Sequence, residues 1–153
     1  NFGVSGNVLE NTYAEQTYQG TGYNGSVAEM NGSANQTTVM QQTFSVAAGQ
    51  TTDIEFEAAL RSQNTVAGED GFTVQITDDV GAVIFETTIL PTTETFQTFT
   101  FPVTFPSTGD YTLTFTEIGP NDSYGALIDD IAIMVCLTKD TRIDTPNGPT
   151  LVQ

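Results

Sequence analysis

The chain contains no His and no Trp, one Cys, and only three Lys or Arg residues in 153. Without His it lacks the usual general base, the commonest neutral metal ligand and any Ser-His or Cys-His pair. One cysteine cannot close an intramolecular disulfide, so stability has to come from a core, from a metal ion, or from both. Three basic residues provide no patch for phosphate, which excludes nucleic acid and anionic membrane surfaces as partners. No apolar run reaches the length of a membrane-spanning helix, so membrane insertion is not expected. The opening Asn1-Phe2-Gly3-Val4 is not a signal peptide and carries no Met, which reads as a mature or excised segment. Charged residues make up 14% of the chain, well below the roughly one quarter usual for soluble domains.

What is present is acid. Nineteen Asp and Glu residues give a formal charge of -16. Residues 1–135 hold seventeen of these acids and a single base, Arg61, whereas in residues 136–153 Asp140 and Asp144 are cancelled by Lys139 and Arg142. The composition therefore changes at Cys136. The expected organisation is one domain over 1–135 and a short second element over 136–153, since a chain of about 150 residues supports one core.

Period-two alternation dominates the first part. In Asp53–Leu60 the residues Ile54, Phe56, Ala58 and Leu60 fall on one face, with Glu55 and Glu57 on the other, the pattern of a half-buried antiparallel strand. The same alternation groups Met40, Gln42, Phe44 and Val46; Phe72, Val74 and Ile76; Phe99, Phe101, Val103 and Phe105; and Tyr111, Leu113 and Phe115. A late strand from Leu127 to Val135 contributes Ile131, Ile133 and Val135. Turn-rich breaks such as Asn31-Gly32-Ser33, Ala48-Gly49-Gln50 and Asp78-Asp79-Val80-Gly81 separate these runs. With weaker candidates at Val8–Asn11, Val27–Asn31 and Ala82–Ile89, the spacing predicts an all-β fold: an antiparallel sandwich of about nine strands, most simply a jelly roll.

Three groups of residues are candidates for chemistry. Regular alternation in the last strand puts Asp129 on the core face with Leu127, Ile131 and Ile133, and Asp130 on the other. A core-facing carboxylate needs a cation, an Arg or backbone N–H donors, because an unpaired buried charge costs several kcal/mol. Calcium takes carboxylate and carbonyl oxygens without His or Cys, and Glu10 and Glu29, each in a short apolar stretch, would add ligands to Asp129. The competing reading has Asp129 accepting turn hydrogen bonds and both glutamates solvated. Arg61, followed by a loop holding Glu69 and Asp70, reads as an ion pair pinning that loop, with ligand contact as the sharper alternative. Tyr13, Tyr18, Tyr23 and Tyr124 lie in turn-rich segments among Asn and Gln, the side chains with which a surface stacks on sugar rings and reads their hydroxyls; the alternative is that they cap the sandwich edge. No Ser elbow, phosphate-binding Gly loop or dinucleotide fingerprint is present.

Two resemblances carry further. The order Gly6-Asn7-Val8-Leu9-Glu10-Asn11, Tyr23 to Gly32, Gln41-Gln42-Thr43-Phe44 and Tyr124 to Ile131 resembles the galactose-binding-like jelly rolls of secreted bacterial proteins, akin to carbohydrate-binding modules. The resemblance implies a non-enzymatic, secreted or cell-surface glycan-binding or adhesion module, and points to Asp129 as a ligand of a structural calcium. Where such modules open on a Trp, this chain offers Phe2.

The tail from Cys136 to Gln153 resembles the opening block of a Hint (hedgehog/intein) module. In that family the first Cys attacks the preceding carbonyl, here that of Val135, in an N–S acyl shift. The later His-containing blocks are missing, so Cys136 is a candidate nucleophile of the parent protein only. The alternative to a binding module is a structural surface-layer, matrix or filament subunit that self-associates through its strands and holds no small ligand.

Overall fold

A computed structural model describes residues 3–5, 27–31, 37–61, 68–120, 124–134, 142–145 and 148–151. Eleven strands run along these segments: β1 (Gly3–Ser5), β2 (Ala28–Glu29), β3 (Val39–Val46), β4 (Thr51–Ala59), β5 (Gly71–Thr77), β6 (Val83–Ile89), β7 (Gln97–Thr104), β8 (Gly109–Ile118), β9 (Leu127–Ile133), β10 (Arg142–Thr145) and β11 (Gly148–Leu151). They form a five-stranded sheet in the order β1-β3-β8-β5-β6, a four-stranded sheet in the order β2-β9-β4-β7, and a separate β10-β11 hairpin. Every pairing is antiparallel. The expected β-sandwich is present. β2 spans only two residues, so eight sandwich strands of three residues or more are found where about nine were expected.

The two sheets face each other across the apolar halves of the alternating runs. Phe56 from the four-stranded sheet is fully buried and lies 5.8 Å from Phe72 and 5.4 Å from Phe115 of the opposite sheet, ring centre to ring centre. On its own sheet it stacks on Phe99 of the edge strand at 5.6 Å. Ile54, Ala58, Val74, Ile76, Leu113 and Ile128 complete the centre. Such edge-to-face and offset ring packing adds about 0.5–1.5 kcal/mol per pair beyond the area buried.

The last strand departs from simple alternation. Glu57 pairs with Asp129 and Glu55 with Ala132, so one residue of β4, Phe56, is opposed by two of β9, Asp130 and Ile131. The extra residue is a β-bulge, and Asp130 takes it up with φ +49. The bulge inverts the parity of everything before it. Ile133 and Ile131 pack on the core as expected, but Ile128, not Leu127, is the core residue at the start of the strand. Asp129 therefore stands on the outer face opposite Glu57, half-buried, and the expectation of a core-facing Asp129 is corrected.

Candidate functional site

Three side chains far apart in sequence meet where β2, β9 and the end of β4 come together. β2 is held by the register Ala28–Ile128 and Glu29–Leu127 and by the Met30 N–H donating to the Ala126 carbonyl at 2.9 Å. Gly125 permits this approach, because a Cβ there would overlap the Met30 carbonyl. Glu29 is 1% exposed, and its Oε1 accepts from Arg61 Nη1 at 2.8 Å and from the Gly125 N–H at 3.3 Å. The Arg61 guanidinium in turn lies over the face of Tyr124, 4.8 Å from the ring centre. Arg61 thus neutralises a carboxylate on β2, Glu29; residues 62–67 of the loop it was expected to pin lie outside the described residues.

Asn31 ties the same region to the opposite sheet. Its backbone, at φ +103, turns the chain out of β2, and Asn tolerates such angles better than other non-Gly residues. Its Nδ2 donates to the Pro120 carbonyl at 2.7 Å and the Tyr124 carbonyl at 3.4 Å, and its N–H donates to Thr38 Oγ1 at 3.2 Å. Thr38 N–H donates to the buried Glu117 Oε2 at 2.9 Å. Asn31 was not among the sequence candidates; the only signal for it was the turn break at Asn31-Gly32.

Of the other sequence candidates, Glu29 and Tyr124 converge on Arg61, while Glu10, Tyr13, Tyr18, Tyr23 and Cys136 lie outside the described residues. Asp129 shares the outer face of the four-stranded sheet with Glu55 and Glu57, whose carboxylates accept from Thr100 Oγ1 at 3.2 Å and Thr98 Oγ1 at 3.1 Å. Burial holds the Asp129 carboxyl above the usual carboxylate range; the Asp130 N–H, donating to its Oδ1 at 2.8 Å, pulls it part-way back, and the Asp130 and Glu57 charges push it up again. Among the described residues no three His, Cys, Asp or Glu side chains gather closely enough to hold a metal ion.

The two outer faces differ in kind. The four-stranded face presents Asp53, Glu55, Glu57 and Asp129, whereas the centre of the five-stranded face presents rows of neutral polar residues, with Asp110 and Glu86 at their borders. Register places Thr43, Thr112 and Thr77 side by side in one row and Gln41, Thr114 and Gln75 in the next. Thr43 and Thr112 hydroxyls are 3.1 Å apart, and Gln41 Nε2 donates to Thr114 Oγ1 at 3.2 Å.

No family model and no curated protein matches the sequence. Solved structures do match. A family 61 carbohydrate-binding module in complex with β-1,4-galactotriose superposes with a TM-score of 0.59 at 15% identity, over 88% of each chain. A family 35 carbohydrate-binding module from Clostridium thermocellum gives 0.57 at 12% identity, covering 88% of this chain and 92% of its own. A CBM4 structure gives 0.51 at 23% identity, covering 71% of this chain and 67% of its own. The chain has the jelly-roll fold of these modules. Among the described residues no helix is long and apolar enough to cross a membrane.

Proposed function

We propose that residues 1–135 form a non-catalytic, secreted or cell-surface carbohydrate-binding module used in adhesion. The observation that carries this reading is the fold that the 153-residue chain shares over 88% of its length with the family 61 and family 35 modules. Tyr124, fixed by Arg61 at the end of the sandwich, supports it as the described member of a set of sugar contacts that includes Tyr13, Tyr18 and Tyr23. A structural calcium belongs to the same proposal, with Asp129 and Glu10 as its carboxylates. Glu29, the third candidate, stands on the same sheet face, but its charge is matched by Arg61. In the parent protein, we propose, Cys136 begins a self-processing Hint module, of which the β10–β11 hairpin is the first element.

Affinity electrophoresis through gels containing soluble polysaccharides, with and without calcium, tests the proposal. Retardation by at least one polysaccharide is expected, and a melting temperature that falls on adding EDTA is expected from the calcium site. Unretarded migration through every gel by a folded protein would overturn the binding reading, and an EDTA-insensitive melting temperature would remove the calcium.

A second reading, a structural subunit assembling through its strands, is favoured by β6. This edge strand pairs only with β5 among the described residues, and Val80, Val83 and Leu90, exposed by 82%, 51% and 42%, flank or begin it. Sedimentation that rises with protein concentration would support this reading, and a monomer throughout would remove it.

A further inference from the structure

We infer that the outer face of the five-stranded sheet is a glycan contact additional to the tyrosine set, and that the glycan it reads is uncharged; this rests on the carbohydrate-binding reading above. The charge distribution carries the inference. Residues 1–135 hold seventeen acids and one base, and that base, Arg61, is engaged by Glu29 and Tyr124 at the far end of the four-stranded sheet. A uronate or sulfated chain would meet like charge on residues 1–135 with no second base there to offset it, and approach is disfavoured wherever the field of the whole domain is negative.

The centre of the five-stranded face is an exception within this acidic surface. The two rows Thr43–Thr112–Thr77 and Gln41–Thr114–Gln75 contain no charge; acids border them at Asp110, paired with Ser45 beside the first row, and at Glu86 on edge strand β6, opposite Gln75 in the second. These residues are exposed or half-exposed. Each Thr hydroxyl offers one donor and two acceptor positions, and each Gln amide both kinds of group, the inventory needed to exchange hydrogen bonds with sugar hydroxyls. Neighbouring strands lie about 4.8 Å apart, and same-face residues recur about every 6.7 Å along a strand, so the rows form a regular grid. Cross-strand bonds already hold part of it in place: Thr43 to Thr112, Gln41 to Thr114, and Gln75 Nε2 to Glu86 Oε2 at 2.6 Å. Ordering these side chains in advance lowers the entropy lost when a ligand binds.

The test is affinity electrophoresis of the full chain in gels containing hydroxyethylcellulose, β-1,4-galactan, polygalacturonate or alginate, with Thr114→Arg, Gln75→Arg and Thr104→Arg as variants. Melting temperatures establish that each variant is folded. The wild type is expected to be retarded by a neutral polymer, equally at about 0.05 M and about 0.5 M NaCl, because no charge pair is there to be screened. Thr114→Arg and Gln75→Arg are expected to weaken retardation by about tenfold or more, and Thr104→Arg, on the outer face of the four-stranded sheet, to leave it. Retardation by the acidic polymers alone, or undiminished retardation of both folded Arg variants, would overturn the inference while leaving glycan binding intact. Failure of the wild type in all four gels would overturn the glycan reading and this inference with it.

Discussion

Arg61 and Glu29, thirty-two positions apart in the chain, form a buried ion pair at 2.8 Å whose guanidinium is covered by Tyr124. Glu29 is 1% exposed and Arg61 17% exposed, so removing either partner leaves a charge largely cut off from water. Arg61→Ala is expected to cost about 3–5 kcal/mol, read as a lowered midpoint in urea, whereas the double change Glu29→Leu with Arg61→Met should recover much of that loss. Trypsin gives a second readout. Arg61 is the only tryptic site in residues 1–135, and cleavage after it should accelerate in Glu29→Gln. Equal stability of Arg61→Ala and the wild type would show that the pair contributes nothing.

Gly125 is set by packing where Gly49 is set by conformation. A Cβ at Gly125 would overlap the Met30 carbonyl, an atom fixed in the β2–β9 connection, while at Gly49, with φ +74, nothing lies within 4 Å. Gly125→Ala is therefore expected to abolish the cooperative melting transition or lower it severely. Gly49→Ala should cost only the left-handed backbone strain, about 1–2 kcal/mol. Similar melting temperatures for the two variants would contradict the close approach.

Asp129 makes stability depend on pH in a particular direction. Its folded carboxyl sits above the usual range, chiefly through burial, with the Asp130 and Glu57 charges beside it and the Asp130 N–H opposing. A carboxyl raised in the folded state stabilises the fold below its ordinary pKa, and that contribution is lost as pH rises through the folded value. In calcium-free buffer Asp129→Asn should thus be more stable than the wild type at pH 7, the difference closing as the pH falls below the ordinary Asp range. A variant less stable at pH 7 in that buffer would reverse the sign.

At the bulge, Asp130 holds φ +49, which Gly adopts without penalty. Asp130→Gly is expected to be neutral or stabilising by about 0.5 kcal/mol, and Asp130→Val destabilising by about 1–2 kcal/mol, since a β-branched residue resists that region. Urea denaturation compares the two, and loss of stability in the Gly variant would argue against the bulge.

The strands of the core were legible because their alternation is strict. Ile54, Phe56 and Ala58, or Phe72, Val74 and Ile76, can satisfy only one face, and the sandwich buries that face. Asp129 was misplaced for a definable reason: one extra residue at Asp130 flips side-chain parity, and a string of residues carries no sign of a bulge whose cause lies in the pairing with β4. Arg61 was recognised as an ion-pair partner, but its mate is chosen by which strand folds beside it, so Glu29 could not be preferred over Glu69 or Asp70 by proximity in the chain. The neutral centre of the five-stranded face was present as the polar half of the alternation in β3, β5 and β8, with Asp110 at its border. Its contrast with the acidic face appears only once those three strands are placed in one sheet and β4 and β9 in the other.

The most direct test of the central claim is a glycan array probed with the full-length, folded chain in calcium-containing buffer. Binding to one or more neutral oligosaccharides is expected. No signal on any glycan, from protein whose melting transition shows it to be folded, would contradict the assignment of this domain as a carbohydrate-binding module.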